Sequence, residues 1–384
     1  MSTIAALWQS IETQYTNGTF PENKLEKIDA LIYSNDIENI RNGLTLMTTI
    51  TPEYLCRYLK MVEKSLVFRN ASDFIEPLIA ERVFIEIAKV EPIWKDLHKH
   101  GAFNAMQFRA LGDVTVGGLR GRDKNLCFRM AQEMVRIPAG EFMMGVLKDD
   151  EDARDDERPR HKVTLTQDLL VGKYPVTQLL WERIMGTHWN TFQGAIRPVE
   201  SVKWYACIEF CNALSTKKGL EPVYTIDAAD YRTVTCNWNA NGFRLLTEAE
   251  WEYCAQGDKY HKYAGSNNAD EVSWHEGNSQ DQTHPVGQKK PNHFGLYDMS
   301  GNVSEWCWDR IDTEGFGDIN GDSRYQNTHA TDPSGSEIGS FRVNRGGSWY
   351  SAPTVSRVSS RSSFDPEGVL DDLGFRIARA LTKN

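Results

Sequence analysis

Apolar residues recur at three- and four-residue spacings through roughly the first hundred positions, then give way to short alternating runs broken by Gly, Asn and Pro. The first pattern predicts helices over 24–31, 36–46, 52–67 and 71–90. Thr51 before Pro52 and Glu53, and Ser72 with Asp73, supply N-cap chemistry for the last two. Residues 1–112 therefore read as an all-α N-terminal domain. No catalytic constellation falls in it, which points to a docking or assembly role, and His98 and His100 read as surface residues. Between 112 and 125 glycines and charges replace the periodicity, so 113–133 reads as a linker.

From 134 the second pattern predicts strands and loops. The stretch 135–145 reads as two strands about a turn, and 161–171 as one alternating strand. Thr177 caps a predicted helix that Gly186 ends. A second helix spans about 199–214, with Val202, Ala206, Phe210 and Leu214 on one buried stripe. Thr247 and Glu250 form a capping box for a third. The chain is then loop-rich as far as Phe341. Few helices among many short strands make 134–384 an α+β domain.

Charge and composition narrow the function classes. A net charge of −10 and a pI near 5.5 argue against a nucleic-acid-binding surface over the whole protein. No run of eighteen apolar residues is present to span a bilayer, and the start lacks a secretory n- and h-region, so a cytoplasmic location is expected. The scattered cysteines fit reduced structural thiols. Cys207 and Cys211 would share one helix face, but no nearby ligand completes a metal site. The acidic run 149–157 reads as a solvated loop.

Near the end, Arg345-Gly346-Gly347-Ser348-Trp349 and Leu373-Gly374-Phe375-Arg376 enclose a stretch of mostly small and polar residues. The glycines fit tight passages where a side chain would collide or φ is positive.

The ordered motifs of this half resemble a known family. Gly140-Glu141-Phe142-Met143-Met144-Gly145, Glu157-Arg158-Pro159-Arg160-His161, Tyr174-Pro175-Val176-Thr177, Phe243-Arg244-Leu245-Leu246-Thr247-Glu248-Ala249-Glu250-Trp251-Glu252 and Gly301-Asn302-Val303-Ser304-Glu305-Trp306, followed by the two terminal frames, are similar to the formylglycine-generating-enzyme, or sulfatase-modifying-factor, domain. The resemblance implies a C-type-lectin-like fold over 134–384. The family's enzymes oxidise a substrate cysteine through two copper-binding thiolates. The matching positions here are Pro353 and Val358, and no cysteine follows Cys307, so no copper and no formylglycine generation are expected. An iron-dependent branch needs a His-x-x-x-His-x-Glu pattern that the chain lacks. The resemblance also implies a calcium site at Asp298, Gly301, Val303 and Glu305, where carboxylates and carbonyls suit a hard cation; hydrogen bonds that simply tie the loop are the alternative.

Between 350 and 372, with Pro353, Arg357, Arg361, Pro366 and Glu367 set aside as frame, Lys, Gln, Met, Trp and Glu are absent. Those are the types that cannot arise when the adenines of an AAC or AAT codon are replaced. A subset of the family, the variable proteins of diversity-generating retroelements, varies its C-terminal binding surface in this way, and the stretch 342–377 is similar to theirs. The resemblance implies a non-enzymatic binding protein whose contacts are Tyr350, Ser351, Ala352, Val355, Ser356, Val358, Ser359, Ser363, Phe364, Asp365, Gly368, Val369, Leu370, Asp371 and Asp372. Their partner is a protein or other macromolecule, with a further partner for the helical domain. Arg357, Arg361 and Arg376 are expected to hold loops through carboxylates and carbonyls. Two alternatives are a metal-dependent maturation enzyme with another site and a lectin-like protein of fixed specificity.

Overall fold

In the computed structural model the chain divides into two compact units, Met1–Leu111 and Gly112–Asn384. The structure describes residues 111, 114–311, 329–336 and 338–381. The predicted N-terminal helices lie outside these residues, as do His98 and His100.

The described elements, in chain order, are α1 (Gly121–Met130), β1 (Met134–Ile137), β2 (Gly140–Met144), β3 (His161–Leu165), β4 (Leu169–Gly172), α2 (Gln178–Met185), α3 (Trp204–Lys217), β5 (Tyr224–Ile226), β6 (Val234–Cys236), α4 (Glu248–Gln256), α5 (Ala269–Val272), β7 (Ser273–Trp274), β8 (Ser300–Gly301), β9 (Ser304–Ile311), β10 (His329–Thr331), β11 (Phe341–Arg345), β12 (Arg361–Phe364), β13 (Leu373–Phe375) and β14 (Ala378–Ala380). No helix among the described residues is long and apolar enough to cross a membrane.

Sheet order explains why such short strands hold. The strands β12-β11-β9-β13 form one sheet, β1-β4-β14 a second and β10-β3-β2 a third. Strands β1 and β2 are not the hairpin that their spacing predicts. The first pairs with β4 and the second with β3, all antiparallel. The run predicted as a single strand is likewise broken between β3 and β4. There the Asp168 carboxylate accepts from the Ala139 amide at 2.8 Å and from Arg136, tying the corner.

The helix caps follow the sequence signals. Thr177 accepts from the Leu180 amide, and Thr247 and Glu250 satisfy each other's amides. The second predicted helix starts late, at Trp204, because Ser201 at φ 58° breaks the helical path and Lys203 is extended. Within the expected linker, α1 forms instead, since Leu126, Cys127 and Met130 give it a buried face.

Two apolar clusters fill the interior. One packs α2 and α3 against Trp306, Leu373 and Phe375; the other packs β2, β3 and β4 against α4, with Val343 and Val358. Cys207 and Cys211 are free buried thiols of the first.

Buried ion pairs lock the terminal strands onto these clusters. Arg345 and Arg361 face each other across β11 and β12, while Glu248 and Glu252 lie one turn apart on α4. Arg361 grips Glu248 with two bonds of 2.6 Å, and Arg345 bonds Glu252 while its Nε lies 3.4 Å from Glu248. Arg357 grips Glu157 at 2.5 and 2.6 Å, and Arg376 reaches Glu305 at 2.7 Å. The acidic run 149–157 is thus only partly a solvated loop: Glu157 is buried because it answers Arg357. Removing one partner of a buried pair strands the other charge, at a cost of about 3–5 kcal/mol. Glu248→Gln is expected to lose that much in urea unfolding, and a loss below about 1 kcal/mol would show that the lattice is not what holds the terminal sheet.

Candidate functional site

The terminal stretch is built by alternation and by three glycines. Gly346 and Gly347 adopt φ 96° and 65°, and a Cβ on Gly347 would sit 2.6 Å from the Ser356 hydroxyl. A Cβ on Gly374 would meet the Val199 carbonyl at 2.4 Å. The chain therefore turns tightly out of β11, crosses a short 3-10 turn (Pro353–Ser356) and returns as β12.

This path sorts the predicted contact residues into two groups. Tyr350, Asp365, Val369 and Leu370 are exposed, Tyr350 by 68%. Ser351, Ala352, Val355, Phe364, Gly368, Asp371 and Asp372 are half-buried and border the same face. Ser356, Val358 and Ser359 are buried and do not line it, while Ser363, also buried, borders a cavity beneath it. Val358 packs in the second apolar cluster, and the Ser359 hydroxyl donates to Glu157 at 2.7 Å. A loop reading hides this, because inward and outward positions are set by β12 and by the Arg357 anchor. The fold also brings in residues absent from the expected contacts: Asn344, Ser360 and Ser362 line this cavity of about 170 Å³ together with Phe364, Leu370 and Asp372.

The face is fastened to the body mainly through its backbone. The carbonyls of Ser351, Pro366, Leu370 and Asp372 accept from the amides of Glu276, Trp204, Ser201 and Ser304 at 2.8 to 3.1 Å. The Asp371 carbonyl accepts from the Trp349 indole at 3.2 Å. Trp349 is itself buried and stands edge-on to Phe192, with ring centroids 5.2 Å apart. Side chains at the exposed positions can therefore change without loosening their support.

The two carboxylates of the implied calcium site already have partners. Glu305 is buried, and its oxygens accept from Arg376 Nε and Nη2 and from the Trp251 indole at 2.8 Å. A carboxylate offers about four lone-pair positions, so a cation there would have to displace one of these donors beside a fixed guanidinium. Asp298 accepts from the Gly287 amide at 2.8 Å, and burial pushes its carboxyl up to about 6. In this arrangement the set does not fit a calcium ion. Among the described residues no group of three or more His, Cys, Asp or Glu side chains is clustered as a metal site.

One buried carboxyl beneath the face has no cation paired with it among the described residues. Glu200 accepts from the Phe192 amide at 3.1 Å and from the Ser201 hydroxyl at 2.6 Å. Burial pushes it up to about 7 against those hydrogen bonds, and the charge of Asp371 adds to the rise.

Comparisons with known proteins agree with the fold. Residues 123–381 match the Sulfatase-modifying factor enzyme 1-like domain, and the chain belongs to that family. It is similar to "Chaperone protein LppX" of Paenibacillus barcinonensis, 39% identical over 250 residues that cover 57% of this chain and 82% of the relative. It is also similar to "Inactive C-alpha-formylglycine-generating enzyme 2" of Bos taurus, 29% identical over 68% of this chain and 92% of that one. Among solved structures, Treponema denticola variable protein 1 superposes with a TM-score of 0.57 and 36% identity, over 65% of this chain and 95% of that chain.

Glu200 makes stability pH-dependent with a definite sign. Its carboxyl titrates at about 7 when folded against 4.5 ordinarily, so the folded state holds the proton more tightly. The contribution is fully present below pH 4.5 and is lost as pH rises through 7. Glu200→Gln is expected to be more stable than the natural protein above that window, by on the order of 3 kcal/mol, and equal to it below. Urea midpoints measured across pH check this, and parallel curves for the two proteins would refute it.

Proposed function

We propose that this member of the sulfatase-modifying factor family is a non-enzymatic binding protein whose terminal strands present a diversified site to a macromolecular ligand. The carrying observation is the backbone fastening of the face: Ser351, Leu370, Asp371 and Asp372 are held by their carbonyls, which leaves the side chains of Leu370 and Asp371 to recognition, while those of Ser351 and Asp372 also bond Ser348. A rigid support beneath adaptable contacts lowers the ordering cost of binding. Tyr350, with Trp349 behind it at 5.4 Å between ring centroids, is the natural aromatic anchor. The restricted residue alphabet of the stretch and the likeness to a variable protein support diversification. Pro353 and Val358, where the family's enzymes carry thiols, support the absence of cysteine oxidation; Val358 is also core.

The reading separates variable from invariant positions. Sequencing the locus across a population is expected to find a template repeat and a reverse transcriptase nearby, with codon changes at 350–352, 365 and 368–371 but none at 356, 358 and 359. Uniform codons throughout 350–372 would leave a binding protein of fixed specificity. Stability follows the same partition: Tyr350→Ala and Val369→Asp should shift unfolding by within about 0.5 kcal/mol, and Val358→Ala should cost about 1–3 kcal/mol.

A further inference from the structure

Within the proposed binding face, we infer that the cavity between β11, β12 and the 370–372 turn receives a lysine side chain of the partner, its ammonium bonding Asp372 and Ser360. This rests on the reading of that face as the ligand site and assigns the chemistry of one of its pockets.

Charge selects the class of group. Two guanidiniums line the cavity, those of Arg345 and Arg361, and both are already bonded to Glu252 and Glu248. Only the Arg345 Nε lacks a hydrogen bond, and it lies 3.4 Å from Glu248, so they offer an anion no pair of uncommitted donors. Asp372 and its neighbour Asp371, in contrast, make no ion pair among the described residues. Burial pushes the Asp372 carboxyl up, and the adjacent Asp371 charge raises it further. A cation is what this end of the cavity lacks.

A second observation is independent of the acidic pair. Ser360 lines the same cavity, is 2% exposed, and its hydroxyl has no hydrogen-bond partner. A buried polar group left unsatisfied costs about 1–3 kcal/mol, and a ligand donor at this position would relieve it.

Size and shape narrow the class to a lysine. A volume of about 170 Å³ is well below the ~300 Å³ at which pockets for drug-sized molecules begin and close to the ~150 Å³ of a cavity that admits benzene. That is room for one side chain of a larger partner. The Asp372 Oδ2 already accepts from the Ser348 hydroxyl at 2.6 Å and the carboxylate also takes a backbone hydrogen bond, so it does not present two free oxygens side by side. Such an acceptor suits a point-like ammonium better than the planar, two-pronged guanidinium. Phe364, Leu370 and Val355 supply apolar walls for the four-carbon stem.

The test uses amide NMR of the full-length protein titrated with n-butylammonium, n-butanol and valerate. Butylammonium is expected to shift the Ser360 and Asp372 amides saturably, and the other two weakly or not at all. Asp372→Asn should weaken the ammonium by about tenfold or more, as for a charge-assisted hydrogen bond, and Ser360→Ala by about three-fold. Ser360→Ala removes no bond of the folded protein, so it remains informative if Asp372→Asn fails to fold. Butanol or valerate binding as tightly as butylammonium would overturn the inference and leave the binding face standing. If no probe moves these amides, the cavity leaves the binding face and the inference falls with it.

Discussion

The terminal half of the domain depends on one electrostatic constraint: arginines that follow or lie within β11, β12 and β13 must each find a carboxylate supplied by a distant element. Glu157 comes from a turn before β3, Glu248 and Glu252 from α4, and Glu305 from β9. Taking two charges out of water offsets much of what their attraction returns, so such pairs add little net stability over a well-packed apolar core. Their effect is on uniqueness. A guanidinium gripped by two oxygens fixes distance and orientation together, and a shifted register of β12 would leave Arg361 and Glu248 both buried and unpaired. The strands are short, yet they have one place to lie.

That constraint also separates structure from recognition. Because the arginines, the paired glycines and Trp349 determine the path, the residues between them are held at their carbonyls and amides. The exposed side chains carry little structural duty, whereas Val358 and Ser359, only a few residues away, belong to the core and to the Glu157 cluster. A surface of this kind can change its chemistry without refolding, which is the physical requirement of a site that varies.

Much of the scaffold was legible in the residues. The capping box at Thr247, the family motifs, the tight glycines and the structural duty of Arg357, Arg361 and Arg376 all follow from local chemistry or from motif order. The failures share one cause, which is that they depend on partners far away in sequence. Strands β1 and β2 look like a hairpin because they are adjacent, but each buries its apolar face against a different strand. The acidic run looks solvated because its carboxylates outnumber the few cations near it in sequence, while Arg357, which buries Glu157, lies two hundred residues on.

By itself the sequence determined the family, the α+β class, the missing thiols at 353 and 358, and the restricted alphabet of the terminal stretch, since each of these is a property of residue identity and order. Only the tertiary structure decided which terminal residues face outward, that Ser356, Val358, Ser359 and Ser363 do not, and that Asn344, Ser360 and Asp372 meet around one cavity. Side-chain direction in a short strand is set by what lies beneath it, and what lies beneath β12 comes from β11, α4 and the turn that ends at Glu157.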